Sequence, residues 1–95
     1  MKELTEIRAE LDAVDRQLVA LFEQRMLLAR QVAAYKQMKG MPVLDRSREE
    51  AVLDARAALL QDRHFEPALR DLFEKIMALS RQEQEFCLKE ANHHA

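Results

Sequence analysis

Between Met1 and Gly40 the sequence holds no glycine and no proline, and its apolar residues recur in alternating steps of three and four: Leu4, Ile7, Leu11, Val14, Leu18, Leu21, then Leu28, Val32 and Tyr35. Steps of three and four keep all of these side chains on one stripe of an α-helix, whose turn takes 3.6 residues. With no breaker in residues 2 to 39, the spacing predicts one helix of roughly 35 residues, about 50 Å long at 1.5 Å per residue. Helices in single globular domains ordinarily run about 8 to 20 residues. The part of the 95-residue chain that remains is too short to cover both ends of such a rod. A partner chain would complete the burial, so an intertwined homodimer is the expected assembly.

The only glycine, Gly40, and the first of the two prolines, Pro42, close this helix and open a short loop from Lys39 to Leu44. A second helix follows, capped by Asp45 or by Ser47, the latter with Glu50 three residues on as a capping box. Its inward row reads Val52, Ala55 and Leu59, and it ends about Gln61. Gln61 to His64 is a connector. Pro67 suits the first turn of a third helix, with Leu69, Leu72, Phe73, Ile76, Met77 and Leu79 inward, running past Cys87 and Leu88 into a tail expected to be disordered from about residue 90. The expectation is an all-α, three-helix chain with one very long first helix, forming a single domain over residues 1–95 without internal repeats.

Composition closes off several functions. With 48% apolar and 34% charged residues, the chain has the balance of a folded globular protein rather than a disordered one. No run approaches the roughly 18 apolar residues of a membrane span, and MKELTEIRAE lacks the apolar core of a signal peptide, so the cytoplasm is the expected location. Fifteen Lys and Arg against seventeen Asp and Glu give a net charge of −2, which offers no overall basic footprint for nucleic acid. Cys87 has no second cysteine to pair with and reads as a free structural thiol.

The informative positions are polar residues where the pattern asks for apolar ones. Arg25 stands between Leu21 and Leu28, where the rhythm calls for Leu or Val. An unpaired charge there would be costly, so it needs an anion, either a carboxylate of a neighbouring helix or a ligand. Lys36 comes eleven residues later, which returns it to within about 20° of the same face, roughly 16 Å along the axis. Two long cationic side chains can therefore converge on one small dianion, unless Lys36 simply snorkels to water. Arg8 lies about 26 Å before Arg25 and about 100° around the helix. It is either a solvated charge or a contributor to another subunit's site.

On the second helix Arg48 stands one turn before Val52, with Glu49 beside it. The two read as first-turn charges, favourable for Glu49 at a helix N-terminus, or as part of a site with Asp45. On the third helix the row Leu69, Phe73, Ile76 continues as Ser80, Gln84 and Cys87, so two hydrogen-bonding side chains enter an apolar row. They bond locally to the backbone or line a pocket. There is no Ser/His/Asp order, no glycine-rich phosphate loop and no paired-cysteine spacing, and His64, His93 and His94 read as non-ligands. The implied chemistry is a cage of cations and hydrogen-bond donors around an anion.

The order of these residues is specific. Arg8, the stretch LDAVDRQLVALFEQR closing on Arg25, then Lys36, DRSRE from Asp45 to Glu49, and Ser80 with Gln84 together closely resemble the all-helical chorismate mutase family, from about Leu4 to Gln84. The resemblance implies an intertwined homodimer with two equivalent sites that rearranges chorismate to prephenate in Phe and Tyr biosynthesis, with no cofactor, metal or covalent intermediate. It implies that Arg25, with Arg8 of the partner subunit, holds the substrate carboxylates, and that Lys36 and Gln84 donate to the ether oxygen. Glu49 would accept from the ring hydroxyl, with Arg48 and Asp45 completing that end and Ser80 bonding near a carboxylate. Two other readings compete: an isochorismate-pyruvate lyase on the same scaffold, and a non-catalytic helical dimerisation or regulatory module. The last expects Arg25 and Lys36 to be satisfied by carboxylates of the protein itself.

Overall fold

In the computed structural model the described residues are 1–93; the side chain of His93 and all of His94 and Ala95 lie outside them, and with them the non-ligand reading of those two histidines. The chain is all-α. Helix α1 spans Leu4–Lys39, α2 spans Arg46–Ala57, and α3 spans Glu66–His93, with a 3₁₀ turn at Arg63–Phe65 leading into α3. The long unbroken first helix is present as its spacing predicts. Helix α3 continues to His93, past the point near residue 90 where the sequence suggested a tail.

Local chemistry sets the boundaries. Gly40 ends α1 in the left-handed conformation, φ 67°, and its N–H donates to the Gln37 carbonyl while Met41 N–H donates to Lys36 at 2.8 Å. Those two bonds satisfy carbonyls that the helix end would leave open. Of the two candidate caps for α2, Asp45 is the one used: its Oδ1 accepts from the Arg48 N–H at 3.0 Å. Helix α2 stops at Ala57 rather than near Gln61. The Ala57 carbonyl accepts both from the Leu60 N–H at 3.2 Å and from Arg63 Nη1 at 2.8 Å, so a 3₁₀-type turn replaces the next α-turn. Asp62 then caps the short turn by accepting from the His64 N–H at 2.9 Å.

Helix α3 is the central element and packs against both α1 and α2. The buried apolar residues are Ala29, Ala33, Val52, Ala57 and Met77, a small core made mostly of short side chains. The buried face of α2 is carried by Val52 and Ala57; Ala55 is exposed and Leu59 is 76% exposed, which corrects the inward row read from the sequence. Leu72 is also exposed.

The shape is long and thin, 59 × 27 × 14 Å, with a radius of gyration of 17.0 Å, against about 12 Å for a compact chain of this length. The reason lies in α1. Every residue from 1 to 24 is exposed, including Leu4, Leu11, Leu18 and Leu21 of the apolar row. The single chain therefore presents about half of a helix whose stripe has nothing from its own chain against it.

Candidate active site

Where α1 and α2 flank α3 at the level of the loop, the three helices border an open-sided cavity of about 310 Å³. Its lining includes Arg25, Lys36, Asp45, Arg48, Glu49, Ser80 and Gln84. All seven candidate residues from within one chain's reach are thus brought together across 60 positions of sequence, six of them on the three helices and Asp45 at the N-cap of α2. Arg8 does not line the cavity; it is exposed on the far, uncovered part of α1.

The cations differ in how they are held. Lys36 Nζ donates to the Val43 carbonyl at 2.5 Å and to Gln84 Oε1 at 3.2 Å. The loop that Gly40 turns thus fixes the ammonium, which has three hydrogens and keeps one for another acceptor. Gln84 is 5% exposed, the one buried polar side chain among the described residues, and its Nε2 donates to Ser80 Oγ at 3.2 Å. No acceptor among the described residues takes its second amide hydrogen. No buried side-chain polar atom among the described residues lacks a partner.

Arg25 is half-buried, and no carboxylate among the described residues pairs with it. Burial pushes its guanidinium below the ordinary value, and the like charges of Arg56 and Arg48 push it in the same direction. A partly desolvated cation beside like charges gains electrostatically from an anion placed next to it, and Arg48 lines the same cavity. Within the single chain, no carboxylate among the described residues pairs with Arg25 or Lys36, the pairing that the dimerisation-module reading expects.

The sequence reading missed Arg81. This residue lines the same cavity, and its Nη1 lies 2.5 Å from each carboxylate oxygen of Glu49. Glu49 is therefore paired across to α3 rather than with its neighbour Arg48. A signal was present: Met77, Arg81 and Gln84 repeat the four-three step of a helix face. His64 packs edge-on against Phe65, with ring centroids 5.6 Å apart, away from the cavity. Among the described residues no group of three or more His, Cys, Asp or Glu is arranged to hold a metal ion, and no helix is long and apolar enough to cross a membrane.

Residues 7–85 match the family described as chorismate mutase type II. The chain belongs to that family. Over 56 residues it is 41% identical to the T-protein of Haemophilus influenzae, a match covering 59% of this chain and 15% of that protein. Over 54 residues it is 35% identical to the chorismate mutase of Methanocaldococcus jannaschii, covering 57% of this chain and 54% of that protein. These matches thus span about half, or much less, of the relatives' length. The type II chorismate mutase match takes in α2, most of α1 and α3, and every residue lining the cavity.

Proposed function

We propose that the chain is a chorismate mutase, converting chorismate to prephenate by a Claisen rearrangement within the cavity. The observation that carries this reading is Arg25: a half-buried guanidinium with no protein carboxylate, in a cavity with Lys36 and the buried Gln84. Family membership supplies the substrate class. The reaction breaks the ether C–O bond and forms a C–C bond within one molecule, so no other reactant is required.

Two effects lower the barrier. Arg25 binds a carboxylate through its planar fork and helps to hold the flexible dianion in its compact reactive conformer. As the C–O bond lengthens the ether oxygen gains negative charge. The remaining hydrogen on Lys36 Nζ and the unused amide hydrogen of Gln84 donate to it, an interaction stronger in the transition state than in the substrate. Glu49 accepts from the ring hydroxyl, Arg48 and Asp45 complete that end of the cavity, and Ser80, already bonded to Gln84, bonds near a carboxylate.

The proposal extends to an intertwined homodimer. Its support is the uncovered row from Leu4 to Leu21, which leads directly into Arg25, Leu28 and Val32 at the cavity. Antiparallel pairing of two α1 helices centred near Leu18 brings Arg8 of the partner subunit level with Leu28, where its guanidinium can reach the second substrate carboxylate. The deciding experiment incubates the protein with chorismate and, separately, isochorismate, and identifies products while measuring the native mass. Prephenate from chorismate and a two-chain mass are expected; pyruvate from isochorismate alone overturns the assignment in favour of the lyase.

A further inference from the structure

Glu49 and Arg81 form the one ion pair among the described residues that lies within the cavity lining. The carboxylate sits on α2 and the guanidinium on α3, with side chains 24% and 31% exposed. Two facts about this pair bear on ligand recognition. A free carboxylate in the cavity would repel a dianion, and Arg81 offsets that charge. A carboxylate also has about four lone-pair sites on its two oxygens; Arg81 Nη1 alone reaches both oxygens, which holds the carboxylate in place and leaves a site on each oxygen for a neutral donor.

We infer that Arg81 is a positioning residue: by clamping both oxygens of Glu49 it turns an otherwise repulsive carboxylate into an oriented acceptor that selects dianions carrying a hydroxyl group. This rests on the proposed function, in which Glu49 faces the ring hydroxyl. Arg81 itself needs no contact with the ligand. The same clamp ties α2 to α3 beside the cavity, so the position of the acceptor is set by the packing of two helices rather than by one flexible side chain.

The test uses two bicyclic dicarboxylates shaped like the compact reactive conformer, one with the ring hydroxyl and one without, titrated by calorimetry into the intact protein and its variants. Wild type is expected to prefer the hydroxylated compound about tenfold, the scale of a hydrogen bond to a charged group. Arg81→Met should abolish that preference and weaken both compounds, and in a Glu49→Gln background it should change affinity less than twofold. Arg81→Lys, which keeps the cation on a shorter stem, should give an intermediate preference of about threefold, and it decides the matter where the methionine variant does not fold.

Equal losses from Arg81→Met with and without Glu49 would mean that Arg81 touches the ligand itself, and would overturn the inference. So would a variant with a lower melting temperature and an intact hydroxyl preference, which marks a merely structural clamp, and so would a wild type without the preference. A wild type that shows the preference yet forms no prephenate leaves Arg81's role standing and removes the proposed function.

Discussion

Replacing Arg25 by leucine should make the ligand-free protein more stable and inactive at once. The position interrupts an apolar row, is half-buried, and carries a charge with no carboxylate partner among the described residues. Full burial of a leucine side chain contributes about 1.5 to 3 kcal/mol; a half-buried slot halves this to about 1 kcal/mol. Relief of repulsion from Arg48 and Arg56, discounted for solvent screening, adds about 0.5 kcal/mol at most. The sum corresponds to a rise in melting temperature of about 5 to 10 °C for a domain of this size. The sign with pH follows from the lowered guanidinium pKa. The charged form is the disfavoured one in the fold, so the penalty is complete at every pH below that pKa and is relieved only as pH rises through it, far above neutrality. Thermal unfolding followed by circular dichroism, at matched protein concentration and neutral pH, reads the stability; prephenate formation reads the activity, expected to fall by a factor of about 10² or more when such a charged contact is lost. A dicarboxylate at 100 times its Kd should stabilise wild type by about 2.7 kcal/mol and leave the Arg25→Leu variant unmoved. A lower melting temperature for that variant would refute the reasoning, because it would show Arg25 to be held by a carboxylate in the assembled protein.

Lys36→Ala removes a donor fixed by the Val43 carbonyl and Gln84, and should lower kcat by about 10² to 10³ with the helical circular dichroism spectrum unchanged; near-normal turnover rules out its role. Chains carrying Arg8→Ala mixed with chains carrying Arg25→Ala should regain one working site per dimer, read as activity returning on mixing two inactive preparations. The neutral Gln84 donates at any pH, so wild-type activity should stay level from neutral to mildly alkaline pH. A Gln84→Glu variant must be protonated to donate, and with an ordinary carboxyl value of about 4.3 its activity should climb about tenfold per unit as pH falls toward that range. A flat profile for the variant would remove Gln84 from the ether oxygen.

The features legible in the sequence are those fixed by neighbours along the chain. The span of α1 follows from its unbroken rhythm, and its end from Gly40, the one residue suited to a left-handed cap. Arg25 and Lys36 stood out because each breaks a pattern within a single helix. The end of α2 was misplaced because it depends on Arg63 reaching back to the Ala57 carbonyl, a contact that no propensity encodes. Arg81 does not stand out in the sequence because its pairing depends on α2 lying against α3 with Glu49 opposite. The phase of the α2 face was lost for the same reason: α2 packs against α3 through Val52 and Ala57 and leaves Ala55 exposed, and Leu59 lies beyond the helix end.

The first helix is also a ruler. Arg8 and Arg25 are held at a span set by the number of residues between them, about 26 Å, and the apolar row between them keeps its phase only if that number is preserved. Inserting one residue would rotate everything before it by about 100° and turn the row away from its own continuation at the cavity. Inserting seven would restore the row and still move Arg8 about 10 Å farther from Arg25. Exposed positions off the row, such as Asp12 or Gln17, can change freely in kind, while the stretch as a whole cannot change in length. Deletions and insertions, more than substitutions, are therefore the mutations this gene should be least able to carry between Arg8 and Arg25.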